Sequence, residues 1–130
     1  MKKMFCSLFV LMTTSFSAFS GTWFTCVDTE RNQITFSTPD YIGLIKVEYQ
    51  GDTTKLKYGF KDTGYGGETL ASVFEDASGD VVFDTPYNAE IARIDGLPVG
   101  TKFALYRRSA IGINSSQRKL DCMTKAVFKI

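Results

Sequence analysis

The sequence has no histidine, and it holds only three cysteines, three prolines and a single tryptophan. Without histidine, the usual general base for a serine or cysteine nucleophile is gone, and so is the commonest transition-metal ligand. Walker loop, dinucleotide fingerprint and nucleophile elbow are all missing. No apolar run approaches the roughly 20 residues that a membrane-spanning helix needs, and no stretch carries a convincing helical period. Excess charge is lacking too: 15 basic residues face 14 acidic ones, which argues against a nucleic-acid binder by bulk charge.

What is present at the start reads as an export signal. Met1-Lys2-Lys3 is a short basic segment, Met4 to Met12 is uncharged and apolar, and Ala18-Phe19-Ser20 supplies small residues at the −3 and −1 positions. This predicts a signal peptide over residues 1–20, cleaved after Ser20, and a single mature domain over residues 21–130 in the bacterial periplasm or outside the cell. Loss of Lys2 and Lys3 leaves the mature chain slightly acidic. The mature form is expected to have no membrane span.

Cleavage also removes Cys6, leaving Cys26 near one end and Cys122 near the other. Two cysteines in an oxidising compartment read as a disulfide with only one possible pairing. A redox pair is the alternative, but there is no Cys-x-x-Cys and no helix N-terminus to lower a thiol pKa.

Short strand signals follow one another at intervals of about 8–12 residues, the spacing of a sandwich or barrel. Strands are predicted over Thr22–Asp28, Gln33–Ser37, Tyr41–Gln50, Lys55–Lys61, Thr69–Glu75, Asp80–Asp84, Tyr87–Ile94, Lys102–Arg108 and Leu120–Ile130. The period of two is clearest where Ile45, Val47 and Tyr49 alternate with Lys46 and Glu48, and where Leu56, Tyr58 and Phe60 alternate with Lys55, Lys57 and Lys61. In the first strand Phe24 and Cys26 share a face. A bond between Cys26 and Cys122 requires the first and last strands to be neighbours. The expected fold class is therefore all-β: a small antiparallel β-barrel or sandwich of about eight strands with one disulfide. An outer-membrane barrel is disfavoured by the lysines on the outward face.

Two segments stand out as candidate contact loops. Lys61–Thr69 surrounds Tyr65 with Gly64, Gly66 and Gly67, and glycine permits close backbone approach to a partner; a loop folded back over the sheet is the bland reading. Asp76-x-Ser78-x-Asp80 resembles the alternating ligands of a calcium loop but lacks the distal glutamate, so a solvated turn is expected there and no metal site. Fourteen carboxylates could include a glycosidase pair, yet nothing singles out two of them. Charge is segregated along the chain: acids dominate from Asp62 to Asp95, and bases from Gly96 to Ile130. Either the acidic region steers a basic partner inward, or acidic and basic strands pair and cancel.

Phe24-Thr25-Cys26 near the mature start, Ala77-Ser78-Gly79 in the middle, Tyr106-Arg107-Arg108 and then Cys122 together resemble the membrane-bound or periplasmic family of c-type lysozyme inhibitors, which are small exported bacterial β-barrels. The resemblance implies that the Ser78-Gly79 loop enters the cleft of a lysozyme. The sequence departs from the family where Val82 and Phe83 stand in place of its loop tyrosine, and where Val99-Gly100 replaces its Lys-Gly turn, with Lys102 two residues on. Only Ser78 and Gly79 carry over by position. The expectation is a non-enzymatic binding protein without cofactor that inhibits a lysozyme-type cell-wall hydrolase, with partner-binding residues Ser78, Gly79, Tyr65, Gly64 and Gly66. The alternatives are a periplasmic immunity protein against a secreted toxin, or a structural or ligand-binding envelope module.

Overall fold

The computed structural model describes residues 21–62, 70–85, 90–109 and 116–129; the expected signal peptide and the glycines around Tyr65 lie outside the described residues. Eight strands close a barrel in sequence order: β1 (Thr22–Val27), β2 (Gln33–Ser37), β3 (Leu44–Tyr49), β4 (Asp52–Asp62), β5 (Leu70–Glu75), β6 (Val81–Asp84), β7 (Lys102–Ser109) and β8 (Ser116–Thr124). Every neighbouring pair is antiparallel, including the closing pair β1 and β8. Closure gives every described strand a neighbour on both sides, so the sheet has no edge strand.

Cys26 and Cys122 are direct cross-strand partners on β1 and β8. Their sulfurs are bonded, and their Cα atoms lie 4.0 Å apart. The expected pairing of first and last strands is thus what the fold has. The bond closes the chain over a separation of 96 residues.

The inward positions form one aromatic core. Phe24, Phe36, Phe74, Ile34, Ile45, Leu105 and Leu120 are buried, and the alternation read from β3 and β4 puts Ile45, Val47 and Leu56 inside. Phe24 stacks on Phe36 at 4.3 Å and meets Phe103 edge-on at 5.1 Å. Rings in these offset and edge geometries add attraction beyond the area they bury. The lysines of β3 and β4 point outward, so the barrel is apolar inside and charged outside, the reverse of a water-filled membrane pore.

Strict alternation along β1 would set Trp23 on the face opposite Phe24 and Cys26, yet Trp23 and Phe24 are both fully buried. The register of β1 against β2 slips between Thr22 and Phe24, and a bulge of this kind turns two successive side chains the same way. Trp23 thereby packs against Tyr58, Phe74 and Phe128. The strand expected over Tyr87–Ile94 is not one where it is described: residues 91–94 are irregular, with the Ala92 carbonyl accepting both the Ser72 N–H and the Thr85 hydroxyl, and the Ile94 N–H donating to the Ser72 hydroxyl. The last strand starts earlier than expected and stops at Thr124. There the backbone N–H groups of Lys125 and Ala126 both donate to the Trp23 carbonyl, at 2.8 and 3.0 Å, and the chain leaves the sheet.

Because the disulfide restricts the unfolded chain over a long loop, reduction is expected to lower the free energy of unfolding by roughly 4–5 kcal/mol in the chain-entropy model. Urea titration of the oxidised and reduced mature protein, each extrapolated with its own slope, measures this; an unchanged midpoint would contradict it.

Candidate functional site

Strand direction sorts the connections to two ends of the barrel. At one end lie the turns joining β1 to β2, β3 to β4 and β5 to β6; the last carries Ser78 and Gly79. At the other lie the β2–β3 turn, the described part of the connection from β6 to β7, and the residues after β8, whose Lys125 and Ala126 N–H groups bond the Trp23 carbonyl. The described ends of the glycine-rich connection, Asp62 and Leu70, pair with each other at this Trp23 end. The two candidate loops of the sequence reading are therefore anchored at opposite ends of the barrel, while Gly64, Tyr65 and Gly66 themselves lie outside the described residues.

The turns of the Ser78 end are short and internally bonded. Asp76 Oδ1 accepts the backbone N–H of Ser78 at 2.9 Å and of Asp80 at 3.0 Å, and the Gly79 N–H donates to the Asp76 carbonyl. This is an aspartate-nucleated turn, which a short carboxylate favours. Gly79 has φ +87°, a left-handed conformation that glycine adopts without strain. Ser78 is exposed at the tip, and its hydroxyl has no hydrogen-bond partner among the described residues. Between β3 and β4, Gln50 and Gly51 both have positive φ, 51° and 84°, as a tight two-residue hairpin requires.

The β1–β2 turn is built on Asp28 in the same way. Its Oδ1 accepts the N–H groups of Glu30 and Asn32 at 2.9 and 2.8 Å. Its Oδ2 accepts the Asn32 side-chain amide at 3.1 Å and the Tyr49 hydroxyl at 2.8 Å. Desolvation pushes the Asp28 carboxyl up, but the bonds from Asn32, Tyr49 and Glu30 outweigh it and hold the group below its ordinary value. Tyr49 moves the opposite way, because its bond to Asp28 favours the protonated phenol. The Arg107 guanidinium sits 5.1 Å from the Tyr49 ring centre, close enough for a cation–π contact.

The described turns of this end carry Asp28, Glu30, Asp76 and Asp80, with Asp52 at the start of β4 and Arg31 as their one base, while Arg107 and Arg118 stand on the strands of the same end. Acidic character is thus confined to the turns. Elsewhere it cancels: Arg108 on β7 pairs with Asp84 on β6 at 2.8 Å, across the boundary between the acidic and basic stretches.

The Trp23 end is organised by a buried polar network that the sequence reading did not anticipate. Thr85 and Ser72 are buried. Thr85 donates its hydroxyl to the Ala92 carbonyl at 2.6 Å, and the Ile94 N–H donates to Ser72 Oγ at 3.1 Å. Ser72 Oγ also bonds the Tyr58 hydroxyl at 2.8 Å, which reaches Asp95 at 3.3 Å. Arg93 forks onto Asp95 and lies 4.1 Å over the Phe60 ring. These bonds tether residues 92–95 across the end of the barrel. The signal missed was the pairing of two hydroxyl residues at inward positions, since a buried hydroxyl needs a partner. One polar atom of the core, Trp23 Nε1, is buried with no partner among the described residues.

The outer wall bears a shallow groove of about 610 Å³ over β1, β8 and β7, lined by Thr25, Val27, Ala104 and Met123 and flanked by lysines. A smaller one of about 200 Å³ lies beside Asp40 and Lys55. Among the described residues, no three His, Cys, Asp or Glu side chains converge to hold a metal ion, and no helix is long and apolar enough to cross a membrane.

No family model, curated protein or solved structure matches the chain. The assignment of a working surface therefore rests on the geometry above.

Tyr58 gives a pH test of the network at the Trp23 end. Burial is the main cause that raises its phenol well above the ordinary value, and the neighbouring Asp95 adds to it. The folded phenol holds its proton more tightly than the unfolded one, so its contribution to stability is full below pH 10 and declines as the pH climbs further. The melting temperature is expected to fall between pH 10 and 11.5, and to fall less in Tyr58→Phe. Equal slopes in the two proteins would show that the phenol is not held in this way.

Proposed function

We propose that the protein is an exported binding protein that inhibits a lysozyme-type cell-wall hydrolase by inserting turns of its Ser78 end into the enzyme's cleft. The observation that carries this reading is the turn Asp76–Asp80: exposed, acidic and already ordered by its own hydrogen bonds. A turn fixed before binding loses little conformational freedom on docking. A rigid closed barrel behind it keeps the neighbouring turns at fixed spacing.

Two further features support a surface role. The barrel interior is filled by aromatic side chains, so the ligand chamber that larger barrels offer has no room here. The acidic turns complement a basic enzyme surface, which would speed encounter and make it sensitive to salt. The resemblance to the lysozyme inhibitors rests on the layout of Phe24-Thr25-Cys26, Ser78-Gly79 and Cys122. The predicted signal peptide and the disulfide are compatible with export to the periplasm or beyond.

The direct test is lysis of cell-wall substrate by c-type lysozyme with increasing mature protein. Inhibition near a one-to-one ratio is expected. Asp76→Ala, which frees the turn, should weaken inhibition by about tenfold, the effect of losing roughly 1.4 kcal/mol. Ser78→Trp should abolish it with little change in melting temperature. Absence of inhibition across c-, g- and i-type lysozymes would overturn the reading.

A further inference from the structure

Strand pairing places Arg107 of β7 directly opposite Arg118 of β8. Each pair below them in the same register, Leu105 with Leu120 and Phe103 with Cys122, is buried in the core. The two arginines therefore continue the inward-facing side of the sheet to the mouth of the barrel, at the Ser78 end. Arg107 is half-buried and Arg118 exposed. Two like charges directly across a sheet destabilise it, and neither arginine takes part in any ion pair among the described residues.

The rest of the molecule handles the same problem differently. Lys46 and Lys55 also face each other across β3 and β4, but Lys46 pairs with Glu48 and Lys55 with Asp40. Arg93 has Asp95, and Arg108 has Asp84. At the mouth, Asp28 is linked to Arg107 through its hydroxyl partner Tyr49, whose ring lies under the guanidinium, and Glu30 also acts on Tyr49. Both Asp28 oxygens are already engaged, by Glu30, Asn32 and Tyr49, and the turn depends on those bonds. Asp28 keeps its negative charge, but neither arginine forms a direct ion pair with it or with any other carboxylate among the described residues, and the Tyr49 ring beneath Arg107 holds that guanidinium in place.

We infer that the mouth of the barrel is an oxyanion-binding site, in which Arg107 and Arg118 together receive one carboxylate or phosphate group. Guanidinium donors match the geometry of either anion in a two-point fork. A bound anion also relieves the repulsion between the two strands, so occupancy stabilises the β7–β8 pair. The inference is independent of which macromolecule meets the Ser78 end, because it concerns only the anionic group that the mouth accepts.

The test uses the mature, oxidised, ¹⁵N-labelled protein and follows the arginine side-chain Nε–Hε signals. Inorganic phosphate and succinate are titrated separately, with chloride holding ionic strength constant. Saturable shifts at Arg107 and Arg118, with Arg31 and Arg93 unmoved, are expected. A response to phosphate alone assigns the site to phosphate, and one to succinate assigns it to carboxylate; either supports the site. Arg107→Gln should weaken binding about tenfold, the worth of one charge-assisted hydrogen bond. Arg118→Gln, at an exposed position, should do the same while raising the anion-free melting temperature by about 2 °C, since it removes the opposed charge. Uniform, unsaturable shifts at all arginines would overturn the inference. So would undiminished binding in both variants, or a lower melting temperature for Arg118→Gln without anion.

Discussion

Closure of the barrel between β1 and β8 is the constraint on which the rest of the structure depends. Four register pairs join these strands, and the disulfide lies within one of them. With the first and last strands tied, each of the intervening six has a neighbour on both sides, and their inward side chains meet around a common axis. Phe24 shows the consequence, since it touches Phe36 on β2, Phe74 on β5 and Phe103 on β7 at once. Such contacts across the barrel exist only if the sheet comes back to its start. The chain covalently fixes the one pairing that is farthest apart in sequence, and thus the slowest to find by diffusion of the chain ends.

Among the described residues the core is filled with side chains. The two ends differ in how they are finished. The Trp23 end is covered by residues 92–95, held by Ser72, Thr85 and Tyr58 in a buried network whose members satisfy one another. That end is stabilised by its polar groups. The Ser78 end keeps its polar groups outward: carboxylates fold the turns on themselves, and two arginines stand opposed at the rim. Bonds within each turn, rather than between turns, leave the outer surface of this end available for contact. Acidic turns around a cationic mouth also give the end a patterned charge, which favours selectivity over general stickiness.

Much of this was legible in the sequence, and the reasons are local. Alternation in Leu44–Tyr49 and in Leu56, Tyr58 and Phe60 marked the inward face, because a half-buried strand imposes a period of two. The cysteine pair foretold closure, because a disulfide permits only a short Cα separation. The failures came where tertiary contacts override period. Trp23 is buried by a one-residue bulge that no composition signals. The segment up to Ile94 reads as a strand from its side chains, but it is held by one backbone bond from Ser72 and by the hydroxyls of Ser72 and Thr85 in place of a continuous ladder. The end assignment of the loops needed strand direction, which only the complete order of eight strands supplies. The arginine pair was invisible for the same reason, since Arg107 and Arg118 become neighbours only through the β7–β8 register.

The central claim is that the Ser78 end is the working surface of a rigid barrel. Amide chemical-shift mapping of the ¹⁵N-labelled mature protein with unlabelled c-type lysozyme addresses it most directly. The account predicts perturbations grouped on residues 28–32, 50–52 and 76–80 and around Arg107, with the aromatic core unshifted. Perturbations centred on the outer groove beside Met123 or on the Trp23 end, or no perturbation at all, would contradict it.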